Sequence, residues 1–172
     1  MDMDVQHIPI ILDIEASGFG RGSYPIEIGV AIVDGGAHCY LVKPETDWTH
    51  WEPEAEAMHH ITREILQRFG WGVNYVAAQL NKHLQGKTVY SDAWGQDSAW
   101  LARLYECSNT LQDFRVEHLV SITSEAQLAI WEITKQQVIT ESGLQRHRAS
   151  ADARIIQTTW LRSLVNCRVA AM

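Results

Sequence analysis

Asp13 and Glu15 stand one residue apart in the string ILDIEASGFG, at the end of a short apolar run and just before Gly18 and Gly20. On a strand the side-chain period is two, so both carboxylates share one face. Two adjacent carboxylates repel near a core unless a cation lies between them, which makes the pair a candidate ligand set for a hard divalent ion. Asp2/Asp4, Glu52/Glu54 and Glu54/Glu56 repeat the spacing without the strand before it or the glycines after it. Those glycines let a ligand approach the backbone closely.

A second group lies in VYSDAWGQDSAWLARL, where Asp92 and Asp97 both suit turns or helix caps. Asp97 also forms an i, i+3, i+4, i+7 set with Trp100, Leu101 and Leu104, so it is the one charge on an apolar helical stripe. The third group is LQRHRASADARII, with His147 five residues before Asp152. On one helix these two would point about 140° apart. They converge only if His147 lies in a loop and Asp152 in the first turns of the helix that follows. Gly143 upstream permits that loop.

The elements that must position these groups follow from periodicity. Ile8 to Ile14 is β-branched and nearly continuous, which predicts a buried central strand. Pro25–Val33 and Ala37–Val42 predict two more strands around a tight turn at Asp34-Gly35-Gly36. The segment DWTHWEPEAEAMHHIT reads as a loop leading into a short helix from about Thr62. Val73, Val76, Ala77, Leu80 and Leu84 predict a helix closed by Gly86. Beyond it come a strand at Thr88–Ser91, a helix at Gln96–Glu106 and a short strand at Phe114–Leu119. Helices from Ser124 to about Thr140 and from Ala149 to Val165 complete the chain. Three leading antiparallel strands, then strands alternating with helices, predict an α/β fold with a mixed sheet and helices on both faces.

The 172 residues suit one domain, 1–172, and 46% hydrophobic content is enough for a real core. A formal charge of −7, from 21 acidic and 14 basic residues, argues against coating nucleic acid or membrane by bulk charge. It leaves open an enzyme whose acids hold metal ions. Three widely spaced cysteines (Cys39, Cys107 and Cys167) exclude a disulfide scaffold and suggest a reducing compartment. The acidic N-terminus does not read as a signal peptide, and no stretch approaches the roughly 18 apolar residues of a membrane span. A cytoplasmic protein without membrane partners is the expectation.

Taken in order, acid-x-acid on the first strand, an acid opening a middle helix and His-x4-Asp opening the last helix resemble the DEDD 3′–5′ exonucleases. The His-x4-Asp spacing resembles the DEDDh branch, which includes oligoribonuclease, ribonuclease T and proofreading exonuclease domains. The resemblance runs from about Ile8 to Leu164. MHHIT (Met58 to Thr62) is similar to the family's His-x-Ile-Thr element, and QDSAWL to its Phe-Asp-x-x-Phe-Leu segment, which sets Asp97 as the third acid. The family often has Asn four residues before that Asp and an aromatic residue just before it. Here Ala93 and Gln96 stand there, so Asp92 stays open as the alternative.

The resemblance implies a ribonuclease-H-like fold in which Asp13, Glu15, Asp97 and Asp152 hold two Mg²⁺ or Mn²⁺ ions. One ion would activate a water and the other would stabilise the leaving 3′ oxygen. His147 would be the general base, since an imidazole's ordinary pKa of roughly 6.5 lies near working pH. Single-stranded or short RNA or DNA would be shortened from its 3′ end, releasing nucleoside 5′-monophosphates. Ser17, Gly18, Trp51, His59 and Ile61 are the candidate substrate contacts, with aromatics of the Trp-rich loop stacking on bases. Arginines on and before the last helix (Arg146, Arg148, Arg154, Arg162, Arg168) suit a phosphate backbone or a solvated face equally. Close relatives often dimerise, so a homodimer is a further expectation. The rival reading is a non-catalytic module of the same fold that binds nucleic acid or protein.

Overall fold

The central strand β1 (Ile10–Ala16) divides its side chains between two cores. Ile10, Leu12 and Ile14 enter one cluster and Ile11 enters another on the opposite face. By the same alternation, Asp13 and Glu15 fall on the face of Ile11. β2 (Pro25–Ala31) pairs antiparallel with β1, and β3 (Ala37–Leu41) pairs antiparallel with β2. The turn between them has Gly35 at φ 84° and a Gly36 N–H donated to the Asp34 carboxylate at 2.8 Å. β4 (Thr88–Ser91) joins β1 in parallel, and β5 (Arg115–His118) joins β4 in parallel. The computed structural model, which describes residues 8–170, therefore holds a mixed five-stranded sheet in the order β3-β2-β1-β4-β5.

Helices cover both faces, as the element order predicts. α3 (Val73–Leu84) and α4 (Trp94–Ser108) bring Val76, Leu80, Leu101 and Leu104 against Leu12, Ile14, Ile26 and Ile28. α7 (Ala149–Ala170) brings Ala153, Ile156 and Trp160 against Ile11 and Ala31 on the other face. Two shorter helices, α1 (Pro53–His59) and α2 (Arg63–Phe69), precede α3, and α5 (Glu125–Ala129) and α6 (Trp131–Ser142) precede α7.

Three boundaries differ from the sequence expectation. The Trp- and Glu-rich segment is not all loop, because α1 forms within it. Pro53 opens that helix, Glu54 and Glu56 lie in its first turn, and His60 closes it at φ 59°. The helix expected from Ser124 to Thr140 is two helices broken at Ile130 (φ −109°, ψ 5°). Gln127 explains the break: it closes a capping box with Ser124 and donates to the Trp160 carbonyl and to Ser163, tying α5 to α7 rather than to α6. The last helix also runs past Val165 to Ala170.

The closest approach between α7 and the sheet is at Gly29, where a Cβ would collide with the Ala149–Ser150 backbone. Gly29→Ala should therefore lift the first turn of α7, lowering stability by about 1–3 kcal/mol as overpacking does. Thermal melting checks this, and an unchanged melting temperature would mean the contact is soft.

Candidate active site

The carboxyl ends of parallel strands β1 and β4 open on a cavity of about 480 Å³. Asp13, Glu15, Asp97, His147 and Asp152 all line it. Each comes from the element that the sequence assigns to it. Asp13 and Glu15 end β1, Asp97 lies in the first turn of α4, and Asp152 lies in the first turn of α7. His147 sits in the loop before α7 at φ 60°, a left-handed conformation uncommon outside glycine. Asp152 secures that loop, accepting the His147 backbone N–H at 2.9 Å and Arg146 Nε at 2.8 Å. One ligand atom each from Glu15, His147 and Asp152 lie within 4.8 Å of one another.

Asp97 and Asp92 part company here. Asp97 is 1% exposed and accepts the Ser91 hydroxyl at 2.5 Å. Asp92 instead pairs with Lys135 at 3.2 Å, and the expected capping role is not seen: Ala93 precedes α4 and receives no side-chain cap. Both acids still flank Asp13, since Asp92 lines a smaller adjoining cavity with Asp13, Lys135, Arg146 and Asp152.

The electrostatics sort the acids into two sets. Asp92, Asp152 and Glu27 have basic partners in Lys135, Arg146 and Arg148. Among the described residues Asp13, Glu15 and Asp97 have none. Burial, then Asp97, Glu15 and Asp152, hold the Asp13 carboxyl well above the usual carboxylate range. Burial, then Asp152 and Glu27, push Glu15 to about 7 against the pull of Arg148 and Arg146. Burial pushes Asp97 to about 7 despite the Ser91 hydrogen bond, with Asp92 and Glu15 adding to the rise. Buried, mutually repelling oxygen donors without a basic partner fit hard divalent cations.

A pH dependence follows. Folded carboxyls that keep their protons to about pH 7 are matched by unfolded ones that ionise near pH 4. The fold binds more protons in that window, so this contribution to stability is present below about pH 4 and is lost as pH rises through 7. Burial lowers the His59 pKa and gives the opposite trend near pH 6.5. The difference between melting curves with Mn²⁺ and with chelator isolates the carboxyls. That difference should widen from pH 5 to pH 8; a constant difference would show that the carboxyls ionise freely.

The candidate substrate contacts separate. Gly18 and His59 line the cavity, whereas Ser17, Trp51 and Ile61 are not among its lining residues. Ile61 belongs to the core, and Trp51 donates to Glu56 at 2.7 Å. Sequence reasoning missed Glu27, which is fully buried opposite Glu15. Arg148 Nε reaches both of its oxygens at 3.1 Å, Nη2 reaches Oε1 at 2.6 Å, and the Ala149 N–H reaches Oε2 at 2.8 Å. The available signal was a lone charge in a seven-residue strand that is otherwise apolar.

No protein-family model matches the sequence, and no curated protein matches it. Among solved structures the fold is that of DEDDh exonucleases. Escherichia coli exonuclease I in complex with a dA16 oligonucleotide superposes with a TM-score of 0.66 at 14% identity, over 92% of this chain and 40% of that one. Exonuclease I from Methylocaldum szegediense gives 0.66 at 15% identity, again over 92% and 40%. The zinc-bound form of the E. coli enzyme with single-stranded DNA gives 0.63 at 14% identity, with the same shares covered. The chain thus spans about two fifths of those exonuclease chains.

Proposed function

We propose that this chain is a metal-dependent 3′–5′ exonuclease, releasing nucleoside 5′-monophosphates from single-stranded or short nucleic acid. The observation that carries the reading is the convergence of Asp13, Glu15, Asp97, His147 and Asp152 on one cavity. A module that only binds has no need of three buried acids without basic partners. The four carboxylates would hold two Mg²⁺ or Mn²⁺ ions, which when bound supply Lewis acidity at the phosphate and lower the pKa of a water. An imidazole nitrogen of His147 takes the proton from the attacking water. Asp152 fixes the His147 backbone, and Ser91 orients Asp97. Phe19, 62% exposed and with its ring centroid 6.0 Å from that of Trp100, offers a face on which a base can stack. The oligonucleotide in the E. coli exonuclease I structure supports a single strand as ligand. Three free cysteines suit the cytoplasm.

The test is release of nucleoside monophosphates from a 3′-labelled oligonucleotide with and without Mn²⁺. No release with the ion present would end the proposal. In the same assay Asp97→Asn should lower turnover about 100-fold, as loss of a group that supports a metal site does. Asp92→Asn should keep turnover and lose only the roughly 0.2–1 kcal/mol of a partly exposed ion pair. The reverse outcome would make Asp92 the third acid.

A further inference from the structure

We infer that Glu52 reads the free 3′-hydroxyl of the terminal nucleotide and excludes a 3′-phosphate, with His59 as the complementary donor; the inference rests on the exonuclease reading above. Glu52 and His59 line the same cavity as the five candidate catalytic groups.

The Glu52 carboxylate is held from several sides. Its Oε2 accepts the Phe19 N–H at 3.0 Å, and its Oε1 lies 3.4 Å from His50 Nε2. His50 Nδ1 in turn lies 3.0 Å from the Ser17 hydroxyl, which accepts the Tyr24 N–H at 3.1 Å. Ser17 therefore donates its own hydrogen to Nδ1, which leaves the hydrogen of a neutral imidazole on Nε2, facing Glu52. Gly18 sits at φ 140°, and a Cβ there would collide with the Glu52 carboxylate. The serine is not a nucleophile in this chain of contacts, because Ser17 has no exposed surface and does not line the cavity.

His59 supplies the second, independent observation. It is 2% exposed, its Nδ1 accepts the Ile61 N–H at 3.0 Å, and its buried Nε2 has no hydrogen-bond partner. With Nδ1 accepting, a neutral ring carries its hydrogen on Nε2, so the cavity wall holds an unused donor as well as a fixed acceptor.

A hydroxyl group satisfies both at once, donating to Glu52 and accepting from His59. A phosphate monoester only accepts hydrogen bonds and brings negative charge against Glu52 and Glu54. No Lys or Arg is among the cavity's lining residues to offset that charge.

The experiment compares calorimetric binding of three probes to the Mn²⁺-loaded full chain: thymidine 5′-monophosphate, thymidine 3′,5′-bisphosphate and 2′,3′-dideoxythymidine 5′-monophosphate. The wild type should bind the monophosphate at least about tenfold more tightly than the bisphosphate, since juxtaposed like charges are costly. It should also bind it about tenfold more tightly than the dideoxy form, as expected for a hydrogen bond to a charged group. Glu52→Gln should bring both ratios down toward one, and Glu52→Asp should restore part of the discrimination against the bisphosphate. Equal ratios in wild type and Glu52→Gln overturn the inference, as does a wild type without preference. If the wild type also fails to degrade a 3′-hydroxyl oligonucleotide with Mn²⁺, the exonuclease reading has failed; degradation without these preferences refutes the role of Glu52 alone.

Discussion

Asp13→Asn is expected to abolish Mn²⁺-dependent hydrolysis while raising the melting temperature in chelator. Asp13 is the carboxyl on which the site's charges converge, with Asp97, Glu15 and Asp152 all disfavouring its ionised form on top of its burial. Removing that charge relieves the repulsion, and each kcal/mol gained is worth about 2–4 °C for a chain of this size. The same change deletes a donor that any ion in the cluster needs. Loss of several kcal/mol of transition-state stabilisation corresponds to about 10³-fold or more in turnover. Melting temperatures measured against Mn²⁺ concentration check both halves. The wild type should gain stability by mass action and the variant should not. An equal Mn²⁺-dependent gain in both proteins would remove Asp13 from the metal site.

His147→Ala should have the second largest effect, lowering turnover by about 10²–10⁴-fold, as loss of a general base does. Mn²⁺ affinity should survive. His147 stands close enough to Glu15 and Asp152 to be tested as a ligand instead, with donor atoms within 4.8 Å. Calorimetry separates the two roles. If Mn²⁺ affinity falls together with turnover, His147 holds an ion and another group takes the proton.

Local patterns carried much of the architecture and little of the site's electrostatics. Thr88–Ser91 is a strand over the residues its composition marks, and Val73–Leu84 is a helix over its apolar repeat. α1 was legible in principle, since Pro53 followed by alternating Glu and Ala is a helix start, but the surrounding tryptophans and histidines look like loop. The break at Ile130 was not legible. No Gly or Pro marks it, and its cause is the contact of Gln127 with Trp160 and Ser163, more than thirty residues away.

The site divides along the same line. Acid-x-acid on a strand and His-x4-Asp before a helix are short-range patterns, and the structure brings those residues to one cavity. Choosing between Asp97 and Asp92 needed to know that Lys135 reaches Asp92 and that Ser91 turns to Asp97. Glu27 and Arg148 are 121 residues apart, so neither predicts the other. Glu52 looked like one of several repeated acids until the Phe19 N–H and His50 singled it out.

The docking of α7 on β1 and β2 also bears on how the chain is made. Ile11 and Ala31, both fully buried in the folded protein, are covered by α7. A ribosome working at roughly 5–20 residues per second needs on the order of ten seconds to travel from Ala31 to Ala149. Through that interval the sheet face stays uncovered, open to chaperones and to association with other nascent chains. His147 and Asp152 arrive with the same helix that covers it, so a polypeptide still short of them lacks two of its five candidate catalytic groups. Under the exonuclease reading, the enzyme stays inert beside the messenger that encodes it until the segment that completes its core has also completed its active site.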